Sequence, residues 1–582
     1  MESATMPPRG VAAPRNMPSI LQALRCSHFP LLPTKNATKP RRLITCCKAT
    51  GGGCRRDVLL GLAGAAAAAG LATTTSHGGG GAPAAPDLGA RHPADLPETA
   101  APDACCCGLT HRPGTAVVDF EPPPASSPLR LRPAAHLVDE EYLAKYERAV
   151  ALMKELPDDD PRSFERQWRV HCAYCDGAYD QAGFPDLGLR IHNCWLFFPW
   201  HRWFLYFHER ILGKLIGDDT FALPFWNWDA PGGMTLPAIY ANKSSPLYDE
   251  RRNPAHQPPF TLDLDYNGCD DDSATIPRDQ QIHQNLRIMY GQMISGAKKT
   301  ELFLGRPYRA GDAPNPGAGT IETVPHARLH RWVGDPRQPD LEDMGKFCSA
   351  ARDPVFFAHH ANIDRLWHVW RGLRPGGNGT GGFTDADWLD AAFLFYDEDA
   401  RLVRARVRDC LDMAALRYAY QDVALPWLNA RPPATEHGAR PAPATGALPA
   451  TLDQTVRVAV ARPRISRSCR EKEEEEEVLV VEGVEVAGDS KFVKFDVFVN
   501  LSERGAATAA AAEFAGSVAL ALDAARRPGK GKSAMRTSAR FGIGDLLEDI
   551  GADGDKTLVV SLVPRCAGET VTVGVVRIEY VK

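Results

Sequence analysis

Residues 191–210 have the sequence IHNCWLFFPWHRWFLYFHER, which predicts a helix rich in tryptophan and phenylalanine from about Pro199 onward. His201 lies on this helix, His192 lies in the loop before it, and His171 precedes both in the motif HCAYC. A single histidine among core residues is more often a hydrogen-bonded structural residue than a ligand. Several histidines gathered around one aromatic helix instead predict a metal site.

A second group of histidines lies further along the chain, in PHARLHRWVG (residues 325–334) and DPVFFAHHANIDRLW (residues 353–367). His326 and His330 are four residues apart, the spacing that lets two imidazoles on one helical face reach one metal ion. His360 lies on another predicted helix, thirty residues after His330. These three histidines predict a second site that belongs with the first.

Ligation by histidine alone distinguishes among the metals. The chain lacks the pair of CxxC motifs that is typical of structural zinc, and it lacks the HExxH motif of hydrolytic zinc sites. Neutral imidazoles suit copper, and two sites of three histidines that face each other can hold a copper pair that reacts with O2. The histidine pattern therefore favours two copper ions per chain.

The composition restricts the broad class of protein. The 582 residues carry 67 Lys and Arg against 72 Asp and Glu, a net charge of -5, and 44% of them are hydrophobic. This balance is typical of a globular protein that is long enough for two or three domains. It shows no basic excess that would indicate a nucleic-acid partner, and the chain has no run of 18 apolar residues that could span a membrane.

The first 81 residues differ from the rest of the chain. They hold ten basic residues but only two acidic ones, so the remainder, with 57 basic and 70 acidic residues, carries a net charge near -13. Their Ser-, Ala- and Arg-rich composition is typical of an organelle transit peptide. Arg55 and Arg56, followed by the apolar stretch from Val58 to Ala72, are typical of a twin-arginine export signal. The order of these signals predicts import into a chloroplast and then transfer to the thylakoid lumen by the twin-arginine export machinery.

The pattern of apolar residues predicts a helical region followed by a β-region. Helices are predicted over about 139–156, 160–171, 195–215 and 354–372, and residues 230–320 are rich in loop-forming residues. The acidic run from Glu473 to Glu477 is expected to be a solvated loop. Beyond it, β-branched runs such as KFVKFDVFV and TVTVGVVRIEYV predict antiparallel strands. We therefore divide the chain into a leader (1–81), a catalytic domain (82–428), a Pro- and Ala-rich linker (429–454) and a β-domain (455–582).

Six motifs resemble those of plant polyphenol oxidases, the catechol oxidases and tyrosinases of the type-3 copper family. They are HCAYC, IHNCWLFFPWHRWFLYFHER, GTIETVPHARLHRWVG, DPVFFAHHANIDRLW, DWLDAAFLFYDED and KFVKFDVFV. The resemblance implies a mainly α, loop-rich catalytic domain with a four-helix bundle around a dicopper site, and a C-terminal antiparallel domain similar to a β-sandwich. It also implies that the first copper is held by His171, His192 and His201, and the second by His326, His330 and His360.

Other site residues follow from the same resemblance. Cys175 matches the family cysteine that forms a thioether with the second ligand, here His192. Phe347 matches the bulky gate above the second copper. Glu322 matches the carboxylate that holds a water near the site, and it is the candidate general base. His359 is expected to pack beside the ligands rather than to bind metal.

Three further residues complete the expected site. Asp364 lies one turn after His360 and is expected to accept a hydrogen bond from the ligand set. Ala327 stands where many family members have an asparagine, and Arg331 lies next to a ligand; both are expected to line the substrate pocket. Because Ala327 cannot help Glu322 to orient a water, we expect weak hydroxylation of monophenols.

The resemblance also implies a disulfide between Cys172 and one of Cys105, Cys106 or Cys107. The family usually carries two N-terminal disulfides, but Arg91 stands where an early cysteine is expected, and the family's cysteine pair is a triplet here. Eleven cysteines lie beyond the leader. Because that number is odd, at least one of them is unpaired or takes part in the thioether.

The implied activity is the oxidation of o-diphenols to o-quinones with reduction of O2 to water. The resemblance further implies a latent proenzyme, activated by a protease that cuts near the linker. Three alternatives stay open: an O2 carrier of haemocyanin type, a tyrosinase with substantial monophenol hydroxylation, and a dinuclear zinc hydrolase. Metal analysis and O2 uptake with a catechol distinguish among these functions.

Overall fold

The computed structural model describes residues 85–86, 114–268, 270, 276–374, 384–434, 440–487, 492–521 and 535–582. The predicted leader (1–81) and the triplet Cys105–Cys107 lie outside these residues, so the targeting signals and the disulfide partner stay predictions. All described residues belong to one compact unit. None of the helices among them is long and apolar enough to cross a membrane.

The α-helices are concentrated in the first two thirds of the described chain. They are α1 (Glu140–Glu155), α2 (Phe164–Asp176), α3 (Phe197–Ile216), α4 (Arg278–Tyr290), α5 (Thr300–Leu304), α6 (Ala327–Val333), α7 (Phe347–Ala350), α8 (Val355–Gly372), α9 (Ala386–Asp390), α10 (Cys469–Glu474) and α11 (Gly544–Asp549). Two π-helical turns, Gly291–Ser295 and Glu322–His326, follow α4 and precede α6. The four predicted helices correspond to α1, α2, α3 and α8.

The helices that carry the first histidines have well-defined ends. α2 begins after Ser163, whose hydroxyl accepts a hydrogen bond from the N–H of Arg166. Both α2 and α3 end at a glycine with a left-handed backbone, Gly177 and Gly217, each with φ of 68°. α3 is buried along most of its length, and α1 and α8 pack against it. The aromatic stretch at 191–210 therefore forms the central helix of the catalytic region.

The prediction of a loop-rich segment over 230–320 missed α4. The side chains that α4 buries include Gln281 and Asn285, which are polar, so the segment lacks the apolar repeat that predicts a helix. Gln281 donates a hydrogen bond to Asn285 over 3.0 Å, and Asn285 donates one to the carbonyl of Leu262 over 2.8 Å. These hydrogen bonds satisfy polar groups that burial would otherwise leave unpaired.

The strands are short in the catalytic region and longer in the C-terminal region. They are β1 (Val117–Asp119), β2 (Arg130–Arg132), β3 (Asp180–Gln181), β4 (Phe184–Gly188), β5 (Ala392–Tyr396), β6 (Leu402–Arg406), β7 (Tyr418–Tyr420), β8 (Ala450–Thr451), β9 (Val456–Ala461), β10 (Glu476–Val486), β11 (Phe492–Val499), β12 (Phe514–Ala521), β13 (Met535–Gly542), β14 (Thr557–Cys566), β15 (Val571–Val573) and β16 (Val575–Val581). β1 and β2 pair in parallel with β6 and β7. These pairs attach the start of the described chain to the segment after α9.

Two antiparallel sheets make up the C-terminal region. One has the strand order β13-β10-β15-β8, with β16 also paired to β10, and the other has the order β12-β11-β14-β9. Apolar side chains from both sheets, among them Val481, Phe495 and Leu562, share one hydrophobic core. A helical region followed by C-terminal sheets is therefore confirmed, whereas the four-helix bundle and the sandwich arrangement stay predictions. β13 was not predicted, because its sequence MRTSARFG contains no β-branched run.

The acidic run Glu473–Glu477 was predicted to be a solvated loop, and this prediction was wrong. Its first residues end α10, and Glu476 and Glu477 begin β10 with only 1% and 2% exposure. Glu477 pairs with Arg462 over 2.7 Å, and Glu476 lies 3.4 Å from the ammonium of Lys298. A carboxylate can be buried where a cation neutralises it, and composition alone does not reveal such a partner.

Candidate metal centre

The first histidine group combines α2, α3 and the loop between them. His171 comes from α2, His201 from α3 and His192 from the loop. All three are buried, and their ligating nitrogens lie within 4.8 Å of one another. The ring centroids of His192 and His201 are 5.2 Å apart, and that of His171 lies 5.5 Å from that of His201. The structure thus brings together the three residues that the sequence predicts for one site.

The second histidine group contains four residues, His326, His330, His359 and His360, whose ligating nitrogens also lie within 4.8 Å of one another. His326 ends the π-helical turn that contains Pro325, and His330 follows one turn later on α6. His359 and His360 are neighbours on α8. The Nε2 atoms of His330 and His360 are 3.3 Å apart. The structure thus brings together the three predicted ligands of the second site, with His359 beside them.

The two groups face each other directly. The rings of His201 and His360, one from each group, stack with centroids 4.2 Å apart and an angle of 9° between their planes. His192 and His326 are also nearly parallel, with centroids 6.0 Å apart. Imidazoles from the two groups therefore enclose one shared space, where two metal ions could lie side by side.

Burial keeps these imidazoles neutral. It lowers the pKa of His201 to about 3 and that of His330 to about 4. Burial, reinforced by the neighbouring histidines, also lowers the pKa of the other five residues well below the usual 6.5; these are His171, His192, His326, His359 and His360. A neutral imidazole has a lone pair free for a metal, so proton competition is weak at neutral pH.

Backbone carbonyls orient the rings. The Nδ1–H of His201 donates to the carbonyl of Phe197 over 2.8 Å, and that of His326 donates to the carbonyl of Glu322 over 3.0 Å. The Nε2 atoms of both histidines are buried without a hydrogen-bond partner. A buried nitrogen without a partner is costly unless a metal or water occupies the space it faces. The donor set therefore fits metal binding through Nε2.

His359 lies close enough to the second group that distance alone does not exclude it as a ligand. Its ring is nearly parallel to that of His326, with centroids 5.6 Å apart, and it lies 5.9 Å from the ring of Trp228. Neither of its ring nitrogens has a hydrogen-bond partner. His360 alone of the pair stacks on His201, across the space between the groups. The choice of His360 as ligand stays a prediction, and this stacking supports it.

Cys175 lies between two members of the first group. Its Sγ is 3.5 Å from Nδ1 of His192 and 3.4 Å from Nε2 of His171. The sulfur and the imidazole of His192 are therefore already in contact. The thioether itself stays a prediction, but no rearrangement of the chain is needed to bring its two residues together.

Phe347 and Ala327 form an apolar wall of the site together with Cys175. The Phe347 ring stacks on His192 at 4.9 Å with an angle of 11°, and it lies edge-on to His330 at 5.0 Å. It therefore touches rings of both histidine groups. This is the position from which a side chain can control access to the space between them.

Glu322 lies beside the site with one carboxylate oxygen held and the other free. Its Oε1 accepts a hydrogen bond of 2.6 Å from the backbone N–H of Asn193, the residue after His192. Its Oε2 is buried without a partner. Burial raises the pKa of Glu322 well above the usual 4.5, although backbone N–H groups around Asn193 oppose the shift. A carboxylate in such surroundings has the raised basicity that proton transfer requires.

The structure corrects the prediction for Asp364. Its carboxylate does not bond to an imidazole; it accepts hydrogen bonds from Arg202 at 2.5 Å and from Tyr418 and Tyr420 at 2.8 and 2.6 Å. Arg132 donates a weaker bond at 3.3 Å. Although Asp364 and His360 lie four residues apart on α8, the carboxylate is bound by donors from other segments of the chain instead of by an imidazole. Asp364 thus joins α8 to α3 on the far side of the site.

The buried ionic network around Asp364 was not predicted from the sequence. Arg202 is the residue after His201, and its guanidinium is completely buried. Glu209, also fully buried, accepts hydrogen bonds of 2.7 Å from Arg130 and Arg132. These partners come from segments far apart in the sequence, so no local spacing could indicate them. The one signal was the presence of charged residues within a helix that is otherwise apolar.

Cys172 is disulfide-bonded, as the sequence analysis expects. Its partner lies outside the described residues, so the choice among Cys105, Cys106 and Cys107 stays a prediction. Cys469 at the start of α10 is also disulfide-bonded, which the sequence analysis did not predict.

The C-terminal region covers one side of the site. β12 lies against the π-helical turn Glu322–His326 and against α6. From β11, the ring of Phe492 lies 5.2 Å from the guanidinium carbon of Arg331 and 5.6 Å from that of Arg328. Arg331 therefore contacts Phe492 in the full-length chain, and its predicted place in the substrate pocket stays a prediction.

Family models match three successive parts of the chain. The common central domain of tyrosinase matches residues 161–373, the polyphenol oxidase middle domain matches residues 382–433, and the chloroplastic polyphenol oxidase C-terminal domain matches residues 448–580. The histidines of both groups lie within the first of these matches.

Whole-chain comparisons agree with the family models. A chloroplastic polyphenol oxidase from Malus domestica is 48% identical, over 93% of this chain and 94% of that protein. Aureusidin synthase from Antirrhinum majus is 50% identical, over 85% of this chain and 88% of that protein. The solved structure of latent apple tyrosinase has a TM-score of 0.75 and 50% identity, covering 80% of this chain and 100% of that one.

Two facing groups of histidines inside a tyrosinase central domain define a protein of the tyrosinase class. Within this class, two further domain models that match the chain are those of polyphenol oxidases. A polyphenol oxidase is also 48% identical over 93% of the chain. The chain belongs to the plant polyphenol oxidase family.

Proposed function

We propose that this protein oxidises o-diphenols to o-quinones with reduction of O2 to water, using two copper ions held between the two histidine groups. The observation that carries the proposal is the pair of buried, neutral imidazole groups that face each other across one space. The alternative of an O2 carrier uses similar ligands, but the related proteins are named for oxidation and synthesis. Hydrolytic zinc sites often include a carboxylate ligand, and neither of the two groups found among the described residues contains one. This favours the oxidase over a zinc hydrolase.

The proposed copper ligands are the six predicted histidines. His171, His192 and His201 would hold one ion, and His326, His330 and His360 would hold the other, each group through neutral nitrogens. When bound, the copper pair would supply the redox chemistry, by which two diphenols are oxidised for each O2 that is reduced to two waters. A thioether between Cys175 and His192 would immobilise the one ligand that comes from a loop.

The substrate is proposed to enter beside Phe347. Its aromatic ring would lie above His330, in contact with the Phe347 face and with the methyl group of Ala327, because these side chains form the apolar wall of the site. The free Oε2 of Glu322 is proposed to accept a proton from the substrate hydroxyl, directly or through a water. Arg331 would meet the outer end of the substrate once Phe492 no longer covers it.

The family relatives do not by themselves determine whether this protein prefers diphenols or monophenols. One relative is named (+)-larreatricin hydroxylase, at 47% identity, and another is aureusidin synthase, so family members differ in the reaction they catalyse. We propose that diphenol oxidation dominates here, because Ala327 offers no side-chain hydrogen bond with which to hold a water beside Glu322. Monophenol hydroxylation needs that positioned base more than diphenol oxidation does.

The full-length chain is proposed to be latent and targeted to the thylakoid lumen. Related proteins include a polyphenol oxidase latent form from Prunus armeniaca, and several relatives are named chloroplastic. The β12 strand and Phe492 cover the side of the site on which Glu322 and Arg331 lie. An activating protease that cuts within the predicted linker would allow this cover to leave.

One purified sample tests the proposal. We expect two copper ions per mature chain and the formation of quinone from 4-methylcatechol with stoichiometric uptake of O2, stronger after proteolysis. Zinc without copper would refute the oxidase, and reversible O2 binding without quinone would establish the carrier.

A further inference from the structure

A series of aromatic rings leads away from the second histidine group. The ring of His359 lies 5.1 Å from that of His330 and 6.4 Å from that of Trp226, measured between centroids. The next ring is that of Trp332 on α6, also 6.4 Å from Trp226. All four side chains are buried. Indole is among the side chains that lose an electron most readily, so the two neighbouring tryptophans can carry an electron toward a metal ion held by these histidines.

The series continues from Trp332 to a tyrosine. His256 stacks on Trp332, with centroids 4.3 Å apart and an angle of 7° between the ring planes. The ring of Tyr266 lies edge-on to that of His256 at 5.5 Å. An imidazole is harder to oxidise than an indole or a phenol. His256 therefore bridges the space between Trp332 and Tyr266 without itself giving up an electron.

The phenol at the end of the series has a proton acceptor. Tyr266 donates its hydroxyl to Oδ1 of Asp270 over 2.9 Å. The same oxygen lies 3.0 Å from Nε2 of His256, and Asn253 donates its amide to Oδ2 over 3.1 Å. The carboxylate is therefore fixed beside the phenol, yet its side chain is 39% exposed. A phenol that loses an electron becomes a strong acid, so a base already hydrogen-bonded to it makes that loss much easier.

Packing alone does not require a carboxylate at this position. A tyrosine in the interior needs only some acceptor for its hydroxyl, and a backbone carbonyl is enough, as for Tyr142, which donates to the carbonyl of Ala222 over 2.7 Å. Only an acceptor that can take the proton lets the phenol be oxidised without leaving a buried positive charge. Asp270 is such an acceptor, and its exposure lets it pass the proton on to water.

An oxidised metal centre needs an electron donor when no phenol is bound. Under the proposed function O2 oxidises the metal pair. The groups nearest to that pair are its own imidazoles and the sulfur of Cys175, which lies 3.5 Å from Nδ1 of His192. Sulfur that is oxidised beyond the sulfenic acid is not readily recovered. A donor further away, which can be reduced again from solution, would spare these side chains.

We propose that Trp226, Trp332 and Tyr266 form an electron relay, which reduces the oxidised metal centre when no phenol is bound and so protects its ligands. In each event one electron passes from Tyr266 through the two tryptophans to the metal centre, and the phenolic proton passes to Asp270. An o-diphenol in solution then returns one hydrogen atom to the tyrosyl radical and becomes a semiquinone. The relay rests on the proposed function, because O2 at the copper pair is the oxidant.

The test uses the copper-loaded full chain with hydrogen peroxide as the oxidant and no phenol present. Samples are frozen at set times, and electron paramagnetic resonance measures the organic radical. Tyr266→Phe removes the hydroxyl and keeps the ring, and Asp270→Asn keeps a hydrogen-bond acceptor that cannot take the proton. Tyr142→Phe is the matched control, because the Tyr142 hydroxyl bonds to a backbone carbonyl and its ring packs beside Tyr146 and Phe221. Copper content and unfolding curves show whether each variant is folded and loaded.

We expect a tyrosyl radical in the wild type and in Tyr142→Phe, and its loss in Tyr266→Phe. In Asp270→Asn the radical should form about 100-fold more slowly, the loss typical of removing a positioned proton acceptor. Trp332→Phe, which replaces the indole by a ring that is much harder to oxidise, should delay the radical likewise. After repeated exposure to peroxide, peptide mass spectrometry should find more oxidised ligand histidine in Tyr266→Phe than in the wild type. Initial rates on 4-methylcatechol should not change, but Tyr266→Phe should complete several-fold fewer turnovers before it inactivates.

Equal tyrosyl signals in the wild type and Tyr266→Phe would overturn the relay, as would equal oxidation of the ligand histidines in these two proteins. The radical is measured without phenol, so this result does not depend on diphenol oxidation. A copper-loaded protein that forms the radical at Tyr266 but oxidises no diphenol would refute the proposed function and leave the relay standing. Diphenol oxidation by a protein that forms no radical would do the reverse.

Discussion

Replacing Asp364 by asparagine should destabilise the catalytic region strongly. The carboxylate compensates the guanidinium of Arg202, which is 0% exposed, and it accepts hydrogen bonds from Tyr418 and Tyr420. Asparagine keeps the shape but removes the charge, and its amide group would face other donors. Breaking a buried pair in this way costs about 3–5 kcal/mol, whereas Asp390→Asn, which breaks an exposed pair with Arg408, should cost no more than about 1 kcal/mol.

Urea unfolding of both variants at equal copper loading measures this difference. With an m value of about 3 kcal/mol/M, the Asp364→Asn midpoint should fall by about 1 M or more, and that of Asp390→Asn by about 0.3 M or less. Similar shifts for the two variants would refute the reasoning.

The same pair of proteins has a defined pH dependence. Burial by itself would raise the pKa of Asp364, but the charges of Arg202 and Arg132 outweigh it and hold the pKa below the usual 3.8. The charged form is therefore the one that the folded protein favours. The stability advantage of the wild type over Asp364→Asn should be complete above pH 3.8 and should shrink only as the pH falls below it. An advantage that shrinks between pH 8 and pH 5 would contradict this origin.

Further predictions concern the metal site. His201→Ala and His330→Ala should each lose copper from one group and all diphenol oxidation, which metal analysis and quinone formation check; full activity in either would overturn the ligand assignment. Peptide mapping should find the Cys175 peptide joined to the His192 peptide by a bond that resists thiol reductants, and a free Cys175 thiol would exclude the thioether. Ala327→Asn should raise the rate on tyramine relative to 4-methylcatechol, and an unchanged ratio would show that this position does not limit monophenol hydroxylation.

The histidines were predictable from the sequence because one pair has a helical spacing and all of them lie in motifs that resemble those of a known family. His326 and His330 lie one helical turn apart, so a four-residue spacing brings them together even though a π-helical turn interrupts the start of the helix. The strands of the C-terminal region were predictable for a similar reason, since runs such as VLVVEGVEV specify extended structure locally. Two of the elements that were not predicted, α4 and β13, are segments whose local composition is polar.

The buried charges could not be predicted, because their partners lie far apart along the chain. Arg202 and Asp364 are separated by 162 residues, and Lys494 and Asp265 by 229. Each of these side chains looks like an ordinary surface charge until its partner is known. Local patterns therefore located the two groups of histidines, but not the ion pairs of Arg202 with Asp364 and of Lys494 with Asp265.

The hydrogen bond of Glu322 to the backbone changes the effect that is expected of Ala327. From the sequence, the missing asparagine at 327 appeared to remove half of the support for a base. In the structure, one oxygen of Glu322 already accepts a hydrogen bond of 2.6 Å from the backbone N–H of Asn193. Backbone support does not depend on residue 327, so the carboxylate keeps its place and can serve diphenols. What Ala327 leaves open is the other oxygen, Oε2, which is the one that a water shared with residue 327 would have to use.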